Sequence, residues 1–149
     1  YKMMMEFESS VAGLSDGGAH RGLICDASMP TWNVAHYTRD RVKGKKIPLE
    51  FLVRKQTKET AETFGLMDRG QIKEGYLADI NIIDHENLCV YKPEMVHDLP
   101  TGSRRIIQKA GGYIATIKSG VVTFKNDEAT GELPGSVIRG EKKLEAAAH

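Results

Sequence analysis

Residues 47–66 read IPLEFLVRKQTKETAETFGL, and the pattern of this segment determines how the rest of the chain is interpreted. Small and apolar residues recur here at the 3.6-residue spacing of an α-helix, so that they fall on one face. They are Leu49, Leu52, Val53, Thr60, Ala61 and Phe64. Pro48 suits the first helical turn and Gly65 the position just past the last one, which is the usual asymmetry of helix ends. The sequence therefore predicts one long helix between Pro48 and Gly65.

Three shorter elements are expected before this helix. Residues 1–10, YKMMMEFESS, are apolar and then acidic, which fits a frayed helix or a segment of something larger. Residues 11–15, VAGLS, are an apolar run that predicts a buried strand ahead of a glycine-rich loop. Between residues 30 and 41 the apolar side chains have a loosely helical spacing. Those apolar positions are Trp32, Ala35 and Tyr37.

After Leu66 the sequence changes to β-branched residues punctuated by glycine. Residues 78–84 are the clearest strand, and residues 113–126 predict a hairpin with Ser119-Gly120 as its two-residue turn. The expected facing pairs are Ile117 with Val122, Ala115 with Phe124, Thr116 with Thr123 and Lys118 with Val121. This register gives the hairpin one apolar face and one mostly polar face. Residues 130–140, TGELPGSVIRG, follow with turn-forming residues.

Composition limits the class of protein. The chain has 149 residues, 40% hydrophobic and 28% charged, which is typical of a soluble globular protein able to bury a core. A net charge of +1 provides no strong field for nucleic acid or an anionic membrane. The basic clusters at residues 41–46 and 104–105 are interpreted as a solvated loop and a strand edge.

Cysteine usage and hydropathy predict a cytoplasmic location. Cys25 and Cys89 lie far apart without CxxC spacing, which predicts free buried thiols in a reducing compartment. No apolar run has the length of a membrane span, and the first residues lack the pattern of a signal peptide.

The stretch SDGGAH, residues 15–20, is the strongest candidate for chemistry. Asp16 follows the predicted strand and precedes Gly17 and Gly18, which would let a substrate or metal approach the backbone. A carboxylate placed there can take a proton from a metal-bound water or bind the metal itself. Ser, Asp and Gly are also the best turn formers, and these residues alone favour a plain turn. His20 is either a substrate contact or a loop histidine.

The remaining histidines provide no metal site. The chain contains neither HxH nor HExxH, and catalytic zinc commonly needs three protein ligands. We therefore expect surface or packing roles for His36, His85 and His97. The sequence contains neither a GxSxG turn nor a recognisable Cys–His pair, so it does not indicate a catalytic nucleophile.

Several motifs, taken together and in order, resemble one enzyme family. They are GLSDGGAH at 13–20, LICDASMPTW at 23–32, G-x-I-x-x-G-x-x-A-D-I at 70–80, LPTGSRRI at 99–106 and TGELPG at 130–135. Over residues 11–140 the chain is similar to the carboxyl-terminal part of the N-acyl-D-amino-acid deacylases, or D-aminoacylases. These enzymes belong to the metal-dependent amidohydrolase superfamily.

The resemblance implies an α/β fold, with residues 1–66 as the end of a (β/α)8 barrel and residues 67–140 as part of a small β-sandwich. Residues 141–149 would be a tail, helical or artificially added. In this picture Asp16 contacts the catalytic zinc and acts as general base and then general acid. Gly17, Gly18 and His20 would bind the substrate.

The resemblance also implies that much of the enzyme lies elsewhere. The superfamily's HxH pair and its later metal ligands are absent, and a whole barrel takes about 250 residues. We therefore expect a C-terminal portion that is inactive and metal-free alone, and that self-associates or binds the missing N-terminal part. Apolar helix and hairpin faces would otherwise be left exposed.

The implied function is hydrolysis of N-acyl-D-amino acids to a carboxylate and a D-amino acid, with a small molecule as substrate and no nucleic acid or membrane as partner. One alternative is a related enzyme that opens cyclic amides or ureides, as dihydropyrimidinases do. Another is a non-catalytic β-rich interaction module that retains the scaffold.

Overall fold

The computed structural model describes residues 1–13, 15 and 26–139. Its first part is helical and its second part consists of short strands. The α-helices are α1 (Lys2–Met5), α2 (Met29–Val34), α3 (Leu49–Arg54) and α4 (Thr60–Thr63). A 3₁₀ turn, Asp26–Ser28, leads into α2, and π-helical segments Ala35–Asp40 and Lys55–Glu59 continue α2 and join α3 to α4. This mixture of helix and strand agrees with the α/β class.

Eight antiparallel strands form three sheets within the described residues. They are β1 (Ile80–Ile83), β2 (Cys89–Val90), β3 (Glu94–Val96), β4 (Arg105–Ile107), β5 (Ala110–Gly111), β6 (Tyr113–Lys118), β7 (Val121–Lys125) and β8 (Glu128–Ala129). The four-stranded sheet has the order β1-β6-β7-β8, whereas β2 pairs with β5 and β3 with β4. The strand expected at residues 78–84 is confirmed as β1.

The long helix after Pro48 is confirmed, but its buried face differs from the prediction. Leu52 and Ala61 are buried as expected, whereas Val53 is 43% exposed and Phe64 70% exposed. Lys55, which the pattern placed outside the apolar face, is only 4% exposed. The π-helical segment Lys55–Glu59 accounts for the exposure of Phe64, because i→i+5 hydrogen bonding widens the turn and rotates the residues after it away from a 3.6-residue register. Val53 precedes this segment, and there the buried face runs through Leu52 and Lys55 instead.

The helix expected between residues 30 and 41 is present as α2 and its π-helical continuation. The buried strand expected at residues 11–15 is not: Val11 to Gly13 and Ser15 have no regular secondary structure, and Val11 is 41% exposed. A strand needs a neighbour to receive its backbone hydrogen bonds, and no strand of the described chain pairs with this segment.

The hairpin turn has the predicted residues. Ser119 and Gly120 have φ values of 51° and 82°, the positive angles of a type I′ turn. Ile117 faces Val122 as expected, but a register shift follows, so that Phe124 faces Thr116 rather than Ala115. Because directly opposed residues share a face, Val122 and Phe124 lie on opposite faces of the sheet. The single apolar face predicted for the hairpin is therefore wrong.

Two small hydrophobic clusters form the core of the described residues, and one of them joins the helical part to the β-rich part. Tyr37, Ile47 and Leu52 pack within the helical part. In the other cluster Val34 and Ala35 of the helical part pack against Leu88 of the β-rich part, which is 1% exposed. The two parts of the chain therefore share a core at Leu88.

In the described residues, every helix is too short or too polar to cross a membrane.

Candidate functional site

The predicted site residues Asp16, Gly17, Gly18 and His20 lie outside the described residues. The structure describes both flanks of this stretch. The upstream flank comprises the residues up to Gly13, together with Ser15, and the downstream flank begins at Asp26. The arrangement of these flanks determines what holds the candidate loop.

The upstream flank is tied to the long helix by a buried lysine. The Lys55 ammonium donates a hydrogen bond to the carbonyl oxygen of Ser10 at 2.8 Å and lies 3.5 Å from that of Phe7. It also forms an ion pair with Glu59 at 2.8 Å, one helical turn later. The hydrogen bond from Lys55, aided by its charge and that of Arg54, holds the pKa of Glu59 below its usual value. A lysine this deeply buried is tolerated because its charge and its N–H donors are satisfied.

A second contact fixes the flank closer to the candidate loop. The Thr60 hydroxyl lies 2.6 Å from the Ala12 carbonyl oxygen and 2.8 Å from the Lys55 carbonyl oxygen. A cavity of about 250 Å³ lies between this flank, α1 and the long helix. It is lined mainly by apolar side chains, including those of Met4, Val11 and Leu52. The chain thus reaches the loop from a position fixed along the helix.

The downstream flank is tied to the β-rich part instead. The Ser28 hydroxyl donates to the side-chain oxygen of Gln108, and the hydroxyls of Thr31 and Tyr113 lie 2.7 Å apart. Thr31 is itself buried, at 7% exposed. The two flanks of the candidate loop are therefore anchored to different parts of the molecule.

Arg39 connects the helical part to the turn between β1 and β2. Its guanidinium donates to the carbonyl oxygens of His85, Glu86 and Leu88, the last two at 2.8 and 2.7 Å. Two further N–H groups bind the Asp40 carboxylate at 2.6 and 2.8 Å. This pairing lowers the pKa of Asp40 and raises that of Arg39.

The aspartate of the G-x-I-x-x-G-x-x-A-D-I motif has a structural role. Although partial burial acts to raise the pKa of Asp79, hydrogen bonds from the Lys118 ammonium and the Ser119 amide outweigh it, so that the pKa lies below its usual value. Those bonds measure 2.9 Å each, and Arg69 lies 3.3 Å from the other oxygen. Asp79 thus holds the hairpin turn against the start of β1.

The first glycine of the same motif allows close packing on the long helix. Gly70 has a φ of +85°, and a Cβ atom there would lie 3.0 Å from the Lys58 Cα and the Thr57 carbonyl oxygen. Side chains rarely adopt this backbone conformation, and the space is filled. The motif at residues 70–80 therefore has a structural role: Gly70 packs on the long helix, and Asp79 holds the hairpin turn.

No group of three His, Cys, Asp or Glu side chains in the described parts of the chain is placed to hold a metal ion. The histidines that are described have packing or surface positions, as expected. His36 stacks on Trp32 with ring centroids 4.4 Å apart, and His85 lies 2.7 Å from the Thr38 hydroxyl. His97 is exposed, and Cys89 is a free, half-buried thiol. The described residues do not provide a catalytic metal site by themselves.

Sequence patterns missed the anchoring residues Lys55, Arg39 and Asp79. Lys55 follows Leu52 by three positions on the predicted helix, which is a signal for the buried face, but a charged residue there is ordinarily exposed. Arg39 carried no signal, because its partners are backbone carbonyls far away in the sequence.

Comparisons with known proteins agree with the motifs. The profile of the Amidohydrolase family matches residues 1–124. A D-aminoacylase from Alcaligenes xylosoxydans xylosoxydans is 33% identical over 105 residues, which is 70% of this chain and 19% of that enzyme. The chain thus spans about a fifth of the length of this curated relative. No solved structure matches the chain significantly. By its matched residues, from the helical part through most of the hairpin, this chain is a member of the amidohydrolase family.

Proposed function

We propose that this chain is the carboxyl-terminal part of a metal-dependent amidohydrolase that cleaves N-acyl-D-amino acids into a carboxylate and a D-amino acid. The observation that carries the proposal is the 33% identity to a D-aminoacylase, because the name of that enzyme specifies a substrate class in addition to the family. The motifs SDGGAH and TGELPG add to it, since both belong to the D-aminoacylase branch in the resemblance described above.

In this proposal Asp16 is the proton-transferring carboxylate. It takes a proton from the attacking water and gives it to the amine that leaves, and Gly17, Gly18 and His20 contact the substrate. General acid–base catalysis of this kind contributes about 10²- to 10⁴-fold to a rate. The anchoring of residues 7–12 by Lys55 and Thr60 supports such a role, since a catalytic loop needs a rigid support.

We further propose that residues 1–66 are the end of a (β/α)8 barrel and residues 67–140 a portion of a small β-sandwich. Amidohydrolases are generally metal-dependent, and zinc is the expected ion. In this proposal Asp16 contacts the metal, and the other metal ligands come from another segment. The isolated chain then lacks activity and associates with that segment or with itself. The exposed side chains of Val122 and Phe124, on opposite faces of the sheet, favour such association.

A chimeric enzyme tests the proposal. The 105-residue segment of the Alcaligenes D-aminoacylase that matches this chain is replaced by the corresponding residues of this chain. We expect the chimera to release D-leucine from N-acetyl-D-leucine and to leave N-acetyl-L-leucine intact. Asp16→Asn should lower kcat at least 100-fold with zinc content measured alongside. Asp26→Asn, at an exposed position of the downstream flank, is the matched control and should leave kcat unchanged.

Should the chimera fail to fold, a shorter transplant of residues 13–20 alone answers the same question. A folded, zinc-containing chimera in which Asp16→Asn keeps its full rate contradicts the role of Asp16. Cleavage of dihydrouracil in place of the N-acyl-D-amino acid assigns the chain to the enzymes of cyclic amides.

A further inference from the structure

A second cavity, of about 500 Å³, lies between Tyr1, α2 with its π-helical continuation Ala35–Asp40, and the loop that follows it. Its walls include Trp32, Tyr37, Arg41 and Lys43, and no acidic side chain is among its lining residues in the described chain. Small-molecule sites commonly enclose about 300–1,000 Å³. The cavity therefore has the size for one small molecule.

The Arg41 guanidinium is fixed in position but incompletely bonded. Its Nε donates to the Lys43 carbonyl oxygen at 2.6 Å, and its central carbon lies 5.4 Å from the centre of the Tyr37 ring. Its Nη1 is buried and has no hydrogen-bond partner among the described residues. Buried donors are nearly always bonded. Because Arg41 lines the cavity, its unpaired donor points to an acceptor that is not part of the described protein.

The charges around Arg41 favour an anion as that acceptor. The neighbouring carboxylate, Asp40, is occupied by two hydrogen bonds from Arg39. Lys43 lines the same cavity and forms no ion pair in the described structure. Because Nε is engaged, the end of the guanidinium fork remains for a ligand, and that geometry suits the two oxygens of a carboxylate.

Part of the cavity wall is aromatic. Trp32 stacks on His36 at 4.4 Å with an interplanar angle of 7°, and meets Tyr37 edge-on at 5.6 Å. Trp32 is nevertheless 45% exposed, so part of its indole remains free. A flat ring gains stacking energy on such a surface.

We propose that this cavity binds a small aromatic carboxylate, with the carboxylate on Arg41 and Lys43 and the ring against Trp32. The proposal concerns a binding site that does not include Asp16, and it does not depend on the amidohydrolase reaction. The slight net charge of +1 argues against a polyanion such as nucleic acid as the occupant.

Trp32 makes the test direct, because it is the only tryptophan in the chain. The full chain is titrated with benzoate while the indole fluorescence is recorded, with the neutral benzamide, acetate and inorganic phosphate as comparison ligands. We expect saturable quenching by benzoate. Benzamide and acetate should bind at least tenfold more weakly, because benzamide lacks the carboxylate and acetate lacks the aromatic ring. Inorganic phosphate should bind more weakly than benzoate for the same reason.

Two arginine substitutions distinguish binding in the cavity from non-specific attraction of benzoate to positive charge. Arg41→Gln should weaken benzoate binding about tenfold or more, which corresponds to the loss of a charged hydrogen bond. Arg104→Gln removes an exposed arginine outside the cavity and should leave the affinity unchanged. Lys43→Gln, at an exposed position, should weaken binding severalfold and provides the answer if Arg41→Gln disturbs the thermal transition.

Three results would overturn the proposal. One is the absence of saturable quenching by benzoate. Another is equal affinity for benzoate and benzamide, since it would show that charge is not recognised. The third is unchanged benzoate affinity in both the Arg41 and the Lys43 variants.

Discussion

The helical part and the β-rich part of this chain bury their apolar side chains to very different extents. Six of the seven buried hydrophobic residues in the described structure lie between Val34 and Ala61, and only Leu88 lies in the β-rich part. On the four-stranded sheet, Ile82 is 45% exposed and Ile114 and Phe124 are 47% exposed each. Within the described residues the helices therefore form a core of their own, whereas the sheet keeps large apolar side chains exposed on both of its faces.

The largest expected effect is at the centre of the helical core. Leu52 is 2% exposed, so Leu52→Ala leaves a cavity and should lower the free energy of unfolding by about 3 kcal/mol. Val53→Ala, at the next residue, removes a half-exposed side chain and should cost less than about 1 kcal/mol. Urea denaturation of both variants measures the difference. Equal losses would show that the helical part has no core of its own.

The buried lysine comes next. Lys55→Met removes the donor to the Ser10 carbonyl and leaves Glu59 with Arg54 as its remaining ion-pair partner, which should cost about 2 kcal/mol. Lys58→Met breaks only an exposed pair with Glu62 at 3.7 Å and should change the stability by at most about 0.5 kcal/mol. Both values come from urea denaturation. A Lys55 variant as stable as the Lys58 variant would mean that the upstream flank is not held by this contact.

In the β-rich part the largest effect should be at Asp79. Asp79→Ala removes the acceptor of the Ser119 amide and Lys118, and should cost about 1.5 kcal/mol at pH 7. Glu74→Ala, in the preceding exposed turn, is the control and should be nearly neutral. A neutral Asp79 variant would show that the hairpin turn is stable without this contact.

The contribution of Asp79 should also depend on pH. Because the folded-state pKa is lowered, the ionised carboxylate stabilises the fold above the unfolded value of about 3.9, and that stability is lost as the pH falls through the folded-state pKa. Unfolding curves of the wild type and Asp79→Ala should therefore converge in acid. A difference that stays constant between pH 7 and pH 3 would contradict the assignment.

Substitutions on the four-stranded sheet should have the smallest effect on stability but should clearly reduce self-association. Replacing Val122 by Thr and Phe124 by Ser should change the unfolding free energy little and reduce self-association in sedimentation velocity, since both side chains are exposed. Ile72→Ser, at an 89% exposed loop position, should leave the association unchanged. A wild-type chain that sediments only as a monomer would contradict the predicted self-association.

Local patterns predicted the elements well where one period holds throughout. The ends of the long helix follow from Pro48 and Gly65, and the hairpin turn follows from Ser119-Gly120. The pattern failed where backbone irregularities change the period. The π-helical segment rotated Phe64 outward, and the register shift moved Phe124 to the other face.

The candidate site divides in the same way. A six-residue motif predicts Asp16 and its neighbours as site residues, and this stays a prediction because their positions lie outside the described residues. Lys55, which anchors the upstream flank, and Arg39, which holds the turn between β1 and β2, bind backbone carbonyls 45 or more residues away along the chain. A carbonyl is present at every residue, so such partners leave no trace in residue types.

The hydrogen bonds of the Arg39 guanidinium should determine how the helical part and the turn between β1 and β2 separate during unfolding. The guanidinium binds three carbonyl oxygens of one turn, and the turn can leave the helix only when all three bonds break together. Amide protons on both sides of this junction should then exchange with deuterium in a single concerted opening. A protease that cuts the exposed connection near residues 72–75 would produce a nicked protein whose two pieces stay bound to each other.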